Sequence, residues 1–504
     1  MEPIIRNISV KNFKSLKDTG TLNLKPITLL VGPNSSGKTA LLQTILMLKQ
    51  TLESRNIEAP LILRGRYVDL SSFRDVIFRH NVKDDIEISL GFSQIALRRV
   101  MTPHGIIYER SRAYRNVMWL IKFGVGYEEE SGRLDQRYME FSIYPKTEEP
   151  EKSIRFDGEK IVIKEGGATP YEFKKQIEVE KRNFLYIPLI PPLTYYIHES
   201  ERIKKELKKL KDKTTKMQDK KSERKVELLE REMKFYETRI KRFGEMNVEQ
   251  IKTIDRLMQA LRDCFTYVPR FLIEETYYIG PLREYPQRYY IASGEYPRDV
   301  GLRGEHTAEV IYYDFRRKHT QYEKLKYWMK EMNLAHDVKI SPVAEGLYTL
   351  SITDPNVKIE VSLTDIGFGA SQLLPIIVEG IYANEGSLLL IEQPEIHLHP
   401  KLQTALMDFF IDIAKEGKQA IVETHSEHLI LRLQRRIAEG KLSHTDVAVY
   451  YFESSENGSK ITEVEIDKNG TIKTWPKGFF EEDFEESYSL LKALGKREKD
   501  VSSD

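Results

Sequence analysis

Eight residues near the start of the chain, Gly32-Pro-Asn34-Ser35-Ser36-Gly37-Lys38-Thr39, constrain the fold more than any other segment. They fit the pattern G-x-x-x-x-G-K-[ST]. An apolar run, Ile27 to Val31, precedes them, and helically spaced Leu41, Leu42, Ile45, Leu46 and Leu48 follow. A strand, a glycine loop and a helix in that order make an anion cradle. The two glycines let the backbone curl so that N–H groups and the helix N-terminus point at phosphates, Lys38 reaches the β and γ oxygens, and Thr39 offers a hydroxyl to Mg²⁺. The loop predicts nucleotide binding by Asn34, Ser35, Ser36, Gly37, Lys38 and Thr39. No Asn-Lys-x-Asp segment is present to read guanine, so ATP is expected.

The carboxylates and histidines that such a loop needs stand far downstream. The apolar residues Leu388 to Ile391 lead into Glu392-Gln393-Pro394-Glu395-Ile396-His397-Leu398-His399-Pro400. An acidic residue ending a buried strand beside the phosphate-loop strand holds a Mg²⁺-bound water in such nucleotidases, and Glu392 fits that role. The next apolar run, Gln419 to Glu423, ends in Thr424-His425-Ser426 and delivers a γ-phosphate sensor, His425, to the same sheet edge. His397 and His399 form an H-x-H pair without a third ligand at suitable spacing, a weak zinc signal. Asp365 to Gln372 supplies small residues, a serine hydroxyl and the start of a helix near Leu373. This surface suits phosphate, and a second nucleotide-bound copy would bring it to one.

The remaining pattern predicts an α/β chain with an antiparallel β elaboration and a helical insertion. Alternation at Ile4, Ile5, Ile8, Val10 and Phe13 predicts strands before the loop, and strands are expected near 84 to 93, 117 to 127, 138 to 144 and 153 to 164. From Glu199 to Phe243 the chain lacks Gly and Pro. Heptad-spaced Ile203, Leu207, Leu210, Thr214 and Met217, then Val226, Leu229, Met233, Tyr236, Ile240 and Phe243, predict two seams. The phase break across Gln218 to Lys225 suits the tip of an antiparallel hairpin, with one phase-slipped helix as the alternative. The expected organisation is an ATPase lobe over 1–190, a charged arm over 191–275, a second lobe over 276–480 and an acidic tail over 481–504.

Charge is balanced, 78 Lys and Arg against 77 Asp and Glu, which argues against wholesale nucleic-acid coating. Between Glu201 and Lys225, however, 12 basic residues face 5 acidic ones, so the arm is a candidate anionic contact surface, or else a solvated coiled-coil face. One cysteine, Cys264, excludes internal disulfides and is expected to be an inert packed thiol. No apolar run approaches the roughly 20 residues of a membrane span, and a cytoplasmic location without membrane partners is expected.

Val10-Lys-Asn-Phe-Lys-Ser15, the phosphate loop, Gly369-Ala370-Ser371-Gln372, the block Ile391 to Pro400 and Thr424-His425 together resemble the ABC-type ATPases of the SMC, RecF and OLD branch. The similarity is closest to stand-alone prokaryotic AAA/ABC-like ATPases that share the Ile279-Gly-Pro-Leu-Arg283 segment and a short C-terminal region near Trp475 to Phe479. The resemblance implies an ABC-type P-loop fold of two lobes, ATP and Mg²⁺ as cofactors with Thr39 and Glu392 on the metal, and a nucleotide sandwiched in a homodimer or higher homo-oligomer. Gly369, Ala370, Ser371 and Gln372 would then act as a signature loop in trans. It also implies work on DNA or beside an effector such as a nuclease or toxin, as in phage defence. A DNA-repair ATPase is the rival, and a transporter subunit is disfavoured because it leaves the arm unexplained.

Two departures stand out. The branch places an Asp for the metal directly before a catalytic Glu; here Glu392 and Gln393 occupy those positions. An amide cannot take a proton from water, so catalysis falls to Glu392, Glu395 and His425, and turnover is expected to be slow. His399 stands where an Asp is common, and Tyr67 to Ser72 occupies the place of a glutamine loop without supplying the glutamine. No TOPRIM acidic motif follows His425 in the last 79 residues, so the chain is expected to cut nothing itself.

Overall fold

The computed structural model describes residues 3–474, with short breaks between 94 and 320 of which 145–151 is the longest. The tail 481–504 and the segment 475–479 lie outside the described residues. Packing divides the chain into two units, one of Met1–Leu46, Val76–His80 and Glu274–Asp504, the other of Met47–Asp75 and Asn81–Ile273.

The first unit is built on a six-stranded sheet in the order Thr276–Ile279, Leu388–Glu392, Gln419–Glu423, Ile27–Val31, Val447–Ser455 and Gly458–Glu463. The first five strands run parallel and the last returns as a hairpin. Three of them, Leu388–Glu392, Gln419–Glu423 and Ile27–Val31, are buried at every position. This is why they read as unbroken apolar runs, since helices cover both faces of a parallel sheet. The helices Phe368–Tyr382, Pro400–Lys415 and Glu427–Ala438 supply the crossovers and the cover.

The strand order corrects one expectation. The strand ending in Glu392 is not beside the phosphate-loop strand: Gln419–Glu423 lies between them, with Val422 opposite both Ile391 and Leu29. The crossover through Pro400–Lys415 orders the two later strands, whereas Ile27–Val31 arrives from the far end of the sequence, and motif order does not fix where it inserts. Gln419 fastens this join from below: its side-chain oxygen accepts the Ile4 and Ile5 N–H groups at 3.1 and 3.0 Å, and its amide donates to the Ile5 carbonyl at 2.8 Å. The alternation in Ile5–Phe13 appears as expected, with Ile5, Ile8, Val10 and Phe13 buried.

The second unit carries the antiparallel elaboration, in the order Ile86–Ser93, Met118–Glu128, Arg133–Tyr144, Lys152–Phe156, Lys160–Glu165 and Tyr171–Lys174. The single strand expected over 153 to 164 is a hairpin of two, with Ile154 opposite Ile163. The charged arm is an antiparallel pair, Leu193–Thr214 and Lys220–Lys241. Ile203, Leu207 and Leu229 form its buried seam, flanked by Leu210, Val226, Met233 and Tyr236. Met217 and Phe243 fall outside the described residues, as do the side chains of Thr214 and Ile240. Ion pairs Lys204–Glu237, Lys211–Glu230 and Lys225–Glu206 cross from one helix to the other, which settles the hairpin over the single helix. Cys264 is fully buried, and burial holds its thiol well above its usual range. Among the described residues no helix is long and apolar enough to cross a membrane.

Candidate nucleotide site

The phosphate loop joins the buried strand Ile27–Val31 to the helix Lys38–Glu53. Two of its positions admit only glycine. Gly32 has φ +134°, and a Cβ there would lie 2.2 Å from the Phe452 carbonyl oxygen; Gly37 has φ +105°, and a Cβ would lie 2.4 Å from Ser459 Oγ and 2.8 Å from Ser15 Oγ. The hairpin Val447–Glu463 thus packs against the loop, and Ser454 Oγ also donates to the Ser35 carbonyl at 3.3 Å. Ser35 is held left-handed at φ 59°. Pro33, Asn34 and Ser35 are exposed, whereas Ser36, Gly37 and Lys38 are buried. Lys38 Nζ donates to the loop's own carbonyls, Gly32 at 2.9 Å and Pro33 at 2.7 Å. Ser36 Oγ is buried without a hydrogen-bond partner. An ammonium held inside a curl of backbone, beside an unused buried hydroxyl, fits a phosphate group.

The two strands next in order from Ile27–Val31 both end in carboxylates. Glu423 closes the neighbouring strand, and its two carboxylate oxygens accept the Thr39 hydroxyl at 3.0 and 2.9 Å. Glu392 ends the next strand directly opposite Glu423 and accepts the Tyr278 hydroxyl at 2.9 Å. Burial, then the charge of Glu423, pushes Glu392 up to about 7. Glu395 accepts the His425 backbone N–H at 2.6 Å through one oxygen, while the other is buried and unpartnered. Burial raises Glu395 and Glu423 too. Burial lowers Lys38, with the charges of Glu423 and Glu395 opposing it. His425 is lowered by burial and then by the Lys38 charge, which favours its neutral ring. Thr39, Lys38, Glu392, Glu395 and His425 are therefore assembled around one place. The hydroxyl and facing carboxylates fit Mg²⁺, which is commonly held by one or two carboxylates together with nucleotide phosphates. Glu423 was missed from sequence because only the order of strands in the sheet, which motif order does not fix, brings it to Thr39.

Arg283 organises the turn between Glu392 and Glu395. It is buried, and its guanidinium donates to the carbonyls of Glu392 at 2.7 Å, Gln393 at 3.1 Å and Pro281 at 3.2 Å. Burial pushes it down to about 10, leaving it cationic at neutral pH. The clamp holds Gln393 at φ 43°, with the Gln393 N–H donating to the Glu423 carbonyl at 2.8 Å. Gly369, Ala370, Ser371 and Gln372 lie in the first turns of the helix Phe368–Tyr382, which begins earlier than expected. Among them Gln372 meets Arg283 and Gly369 meets the His397 backbone. Gln372 is 2% exposed, exchanges hydrogen bonds with the Arg283 backbone at 3.3 Å in each direction, and a Cβ on Gly369 would lie 2.7 Å from the His397 carbonyl oxygen. His399 caps the helix Pro400–Lys415, its Nδ1 accepting the Lys401 N–H at 3.2 Å, a local role that its sequence context had concealed.

Compared with solved structures, the chain is similar to the SMC head domain with an extended coiled coil from Pyrococcus furiosus, which is bound to the C-terminal domain of ScpA, at 12% identity and TM-score 0.36, covering 98% of this chain and 99% of that one. It is also similar to the SMC head domain from Thermotoga maritima at 10% identity and TM-score 0.37, over 92% of this chain and 100% of that one. No curated protein matches. Residues 442–488 match a protein of unknown function, DUF3696, and this region includes the hairpin that packs against the phosphate loop. The AAA ATPase domain family matches residues 4–430, spanning the phosphate loop and every strand end described above, and the chain belongs to that family.

Proposed function

We propose that the chain binds ATP with Mg²⁺ and hydrolyses it slowly as a homodimer or higher homo-oligomer, in which Gly369 to Gln372 of one copy complete the phosphate site of another. The observation that supports this reading is the convergence of Lys38, Thr39, Glu392, Glu395 and His425 on one sheet edge, with an amide, Gln393, where the branch it resembles has its base. The Mg²⁺ supplies charge neutralisation at the β and γ oxygens; Lys38 holds the phosphates, His425 marks the γ end, and Glu392 or Glu395 accepts the proton of water. The ATP-bound assembly acts on DNA or on a protein effector such as a nuclease or toxin, in phage defence.

The arm favours DNA as a contact through specific residues. Lys205, Lys208 and Lys209 are exposed, whereas Lys204, Lys211 and Lys225 are engaged by glutamates of the facing helix. Light scattering with and without ATP and Mg²⁺ tests the reading. Association that requires nucleotide and is lost in both Lys38→Ala and Ser371→Arg is expected. An assembly indifferent to nucleotide and to Ser371 would exclude completion in trans.

A further inference from the structure

Glu423 has no place in the motifs that located the site, yet it is the carboxylate in contact with Thr39. Both of its oxygens lie at hydrogen-bond distance from the same hydroxyl, 3.0 and 2.9 Å. A hydroxyl has one proton, so a single carboxylate oxygen would satisfy it. The symmetric approach instead leaves the carboxylate facing the hydroxyl squarely, with its remaining lone pairs unspent. Glu423 is 3% exposed, and the strand register sets Glu392, itself 7% exposed, directly opposite. Two buried carboxylates at paired positions repel each other and gain from a cation between or before them. Lys38 is the nearest cation by its effect on Glu423, but its Nζ donates to the Gly32 and Pro33 carbonyls.

An independent sign that a polar ligand is missing comes from Glu395. Its Oε2 is buried without a partner, and its charge acts on Glu423. Among the described residues no three His, Cys, Asp or Glu side chains are arranged as a self-sufficient metal cage. The set suits a cation that arrives with most of its ligands, as Mg²⁺ does when it is carried by a nucleotide and keeps several waters.

We propose that Glu423, at the end of the strand next to the phosphate-loop strand, is a second Mg²⁺-holding carboxylate, working with Glu392 and exchanging the Thr39 hydroxyl for the cation when Mg²⁺-nucleotide binds. This rests on the nucleotide-site reading above and adds to it a residue from a strand that the motifs assign to sensing alone. Before nucleotide arrives, Glu423 keeps the Thr39 hydroxyl oriented toward the metal position; afterwards the hydroxyl's lone pairs and the carboxylate face the same ion.

Calorimetric titration of the full chain with ATP, once in Mg²⁺ and once in EDTA, tests this without any measurement of turnover. Glu423→Gln keeps an oxygen to accept the Thr39 hydroxyl but removes the charge, so it separates metal holding from local capping. In the wild type Mg²⁺ should tighten ATP binding. In Glu423→Gln that gain should fall by about tenfold or more, the scale of one lost charge-assisted contact, while affinity in EDTA is unchanged or improved. Glu423→Asp, with the charge retained on a shorter arm, should recover part of the gain. An Mg²⁺ gain identical in wild type and Glu423→Gln would overturn the proposal and leave Glu423 as a cap for Thr39. ATP binding equally strong with and without Mg²⁺ in the wild type would also overturn it, while the nucleotide site itself would stand. No ATP binding in either condition would remove the nucleotide site and this proposal together.

Discussion

Replacing Glu392 with Gln should stabilise the nucleotide-free protein above neutral pH and leave it unchanged in acid. The side chain is 7% exposed, accepts one hydrogen bond from Tyr278 and faces Glu423 across the sheet. Its carboxyl is raised from 4.5 to about 7, first by burial and then by Glu423. A carboxyl raised in the folded state favours folding fully below the unfolded value, near pH 4.5, and loses that contribution as pH climbs through the folded value, near 7. At about 1.36 kcal/mol per pH unit, the interval corresponds to roughly 3 kcal/mol of lost stability by pH 8. Gln keeps an acceptor for the Tyr278 hydroxyl and cannot ionise, so the variant should exceed the wild type by about 2–3 kcal/mol at pH 8 and match it near pH 4.5. Hydrogen exchange of the Leu388–Glu392 amides, compared between the two proteins at the same pH in EDTA without nucleotide, reads this locally. Part of the shift belongs to the pair, so the gain should shrink in a Glu423→Gln background. Equal protection at pH 8, or a difference that persists in acid, would refute the reasoning.

The Gln393→Glu change should raise ATP turnover by up to about 10²-fold, the lower end of general-base assistance, and shorten the life of the ATP-bound assembly. If turnover is instead fast in the wild type, lost in Glu395→Gln and indifferent to Gln393→Glu in a steady-state ATPase assay, Glu395 is the base. Arg283→Met should destabilise the first unit by about 3 kcal/mol or more, because the buried carbonyls of Glu392 and Gln393 lose their donor; urea denaturation with a probe in that unit checks it, and an undiminished midpoint would contradict the clamp. Reversing Lys205, Lys208 and Lys209 should lower the slope of log affinity for duplex DNA against log salt by about 0.9 per lost phosphate contact. An unchanged slope would make the arm a protein contact or a spacer.

The strongest part of the fold was legible because its chemistry is local. The glycine loop states its own neighbours, and the heptad seam of Ile203, Leu207 and Leu229 fixes which helix faces meet. The phase break pointed to the arm's hairpin but left a single phase-slipped helix open, and only the ion pairs between the two helices decided it. Spatial order within the sheet was not legible, since a buried parallel strand looks the same from either neighbour and the insertion point of Ile27–Val31 depends on contacts spanning nearly 400 residues, such as Ile421 opposite Thr28. That one ambiguity hid Glu423. Arg283 was visible only as part of a shared segment; its work as a donor to three carbonyls depends on a turn that no periodicity encodes. His399 illustrates the opposite case, a conspicuous residue whose contact is with a backbone amide two positions on.

The sheet around Ile27–Val31 has a temporal consequence. Both of its neighbours, Gln419–Glu423 and Val447–Ser455, are made long after it, and so is Ser459, which lies against Gly37. At translation rates of about 5–20 residues per second, the strand waits on the order of 20–80 seconds for a partner. During that interval an apolar strand with two open edges is exposed to wrong pairings. The phosphate loop waits as long for the same hairpin, which packs against Gly32, Gly37 and Ser35. On the nucleotide-site reading proposed above, a nascent chain ending before residue 447 lacks the hairpin that packs against the phosphate loop, and is expected to bind ATP more weakly than the full chain.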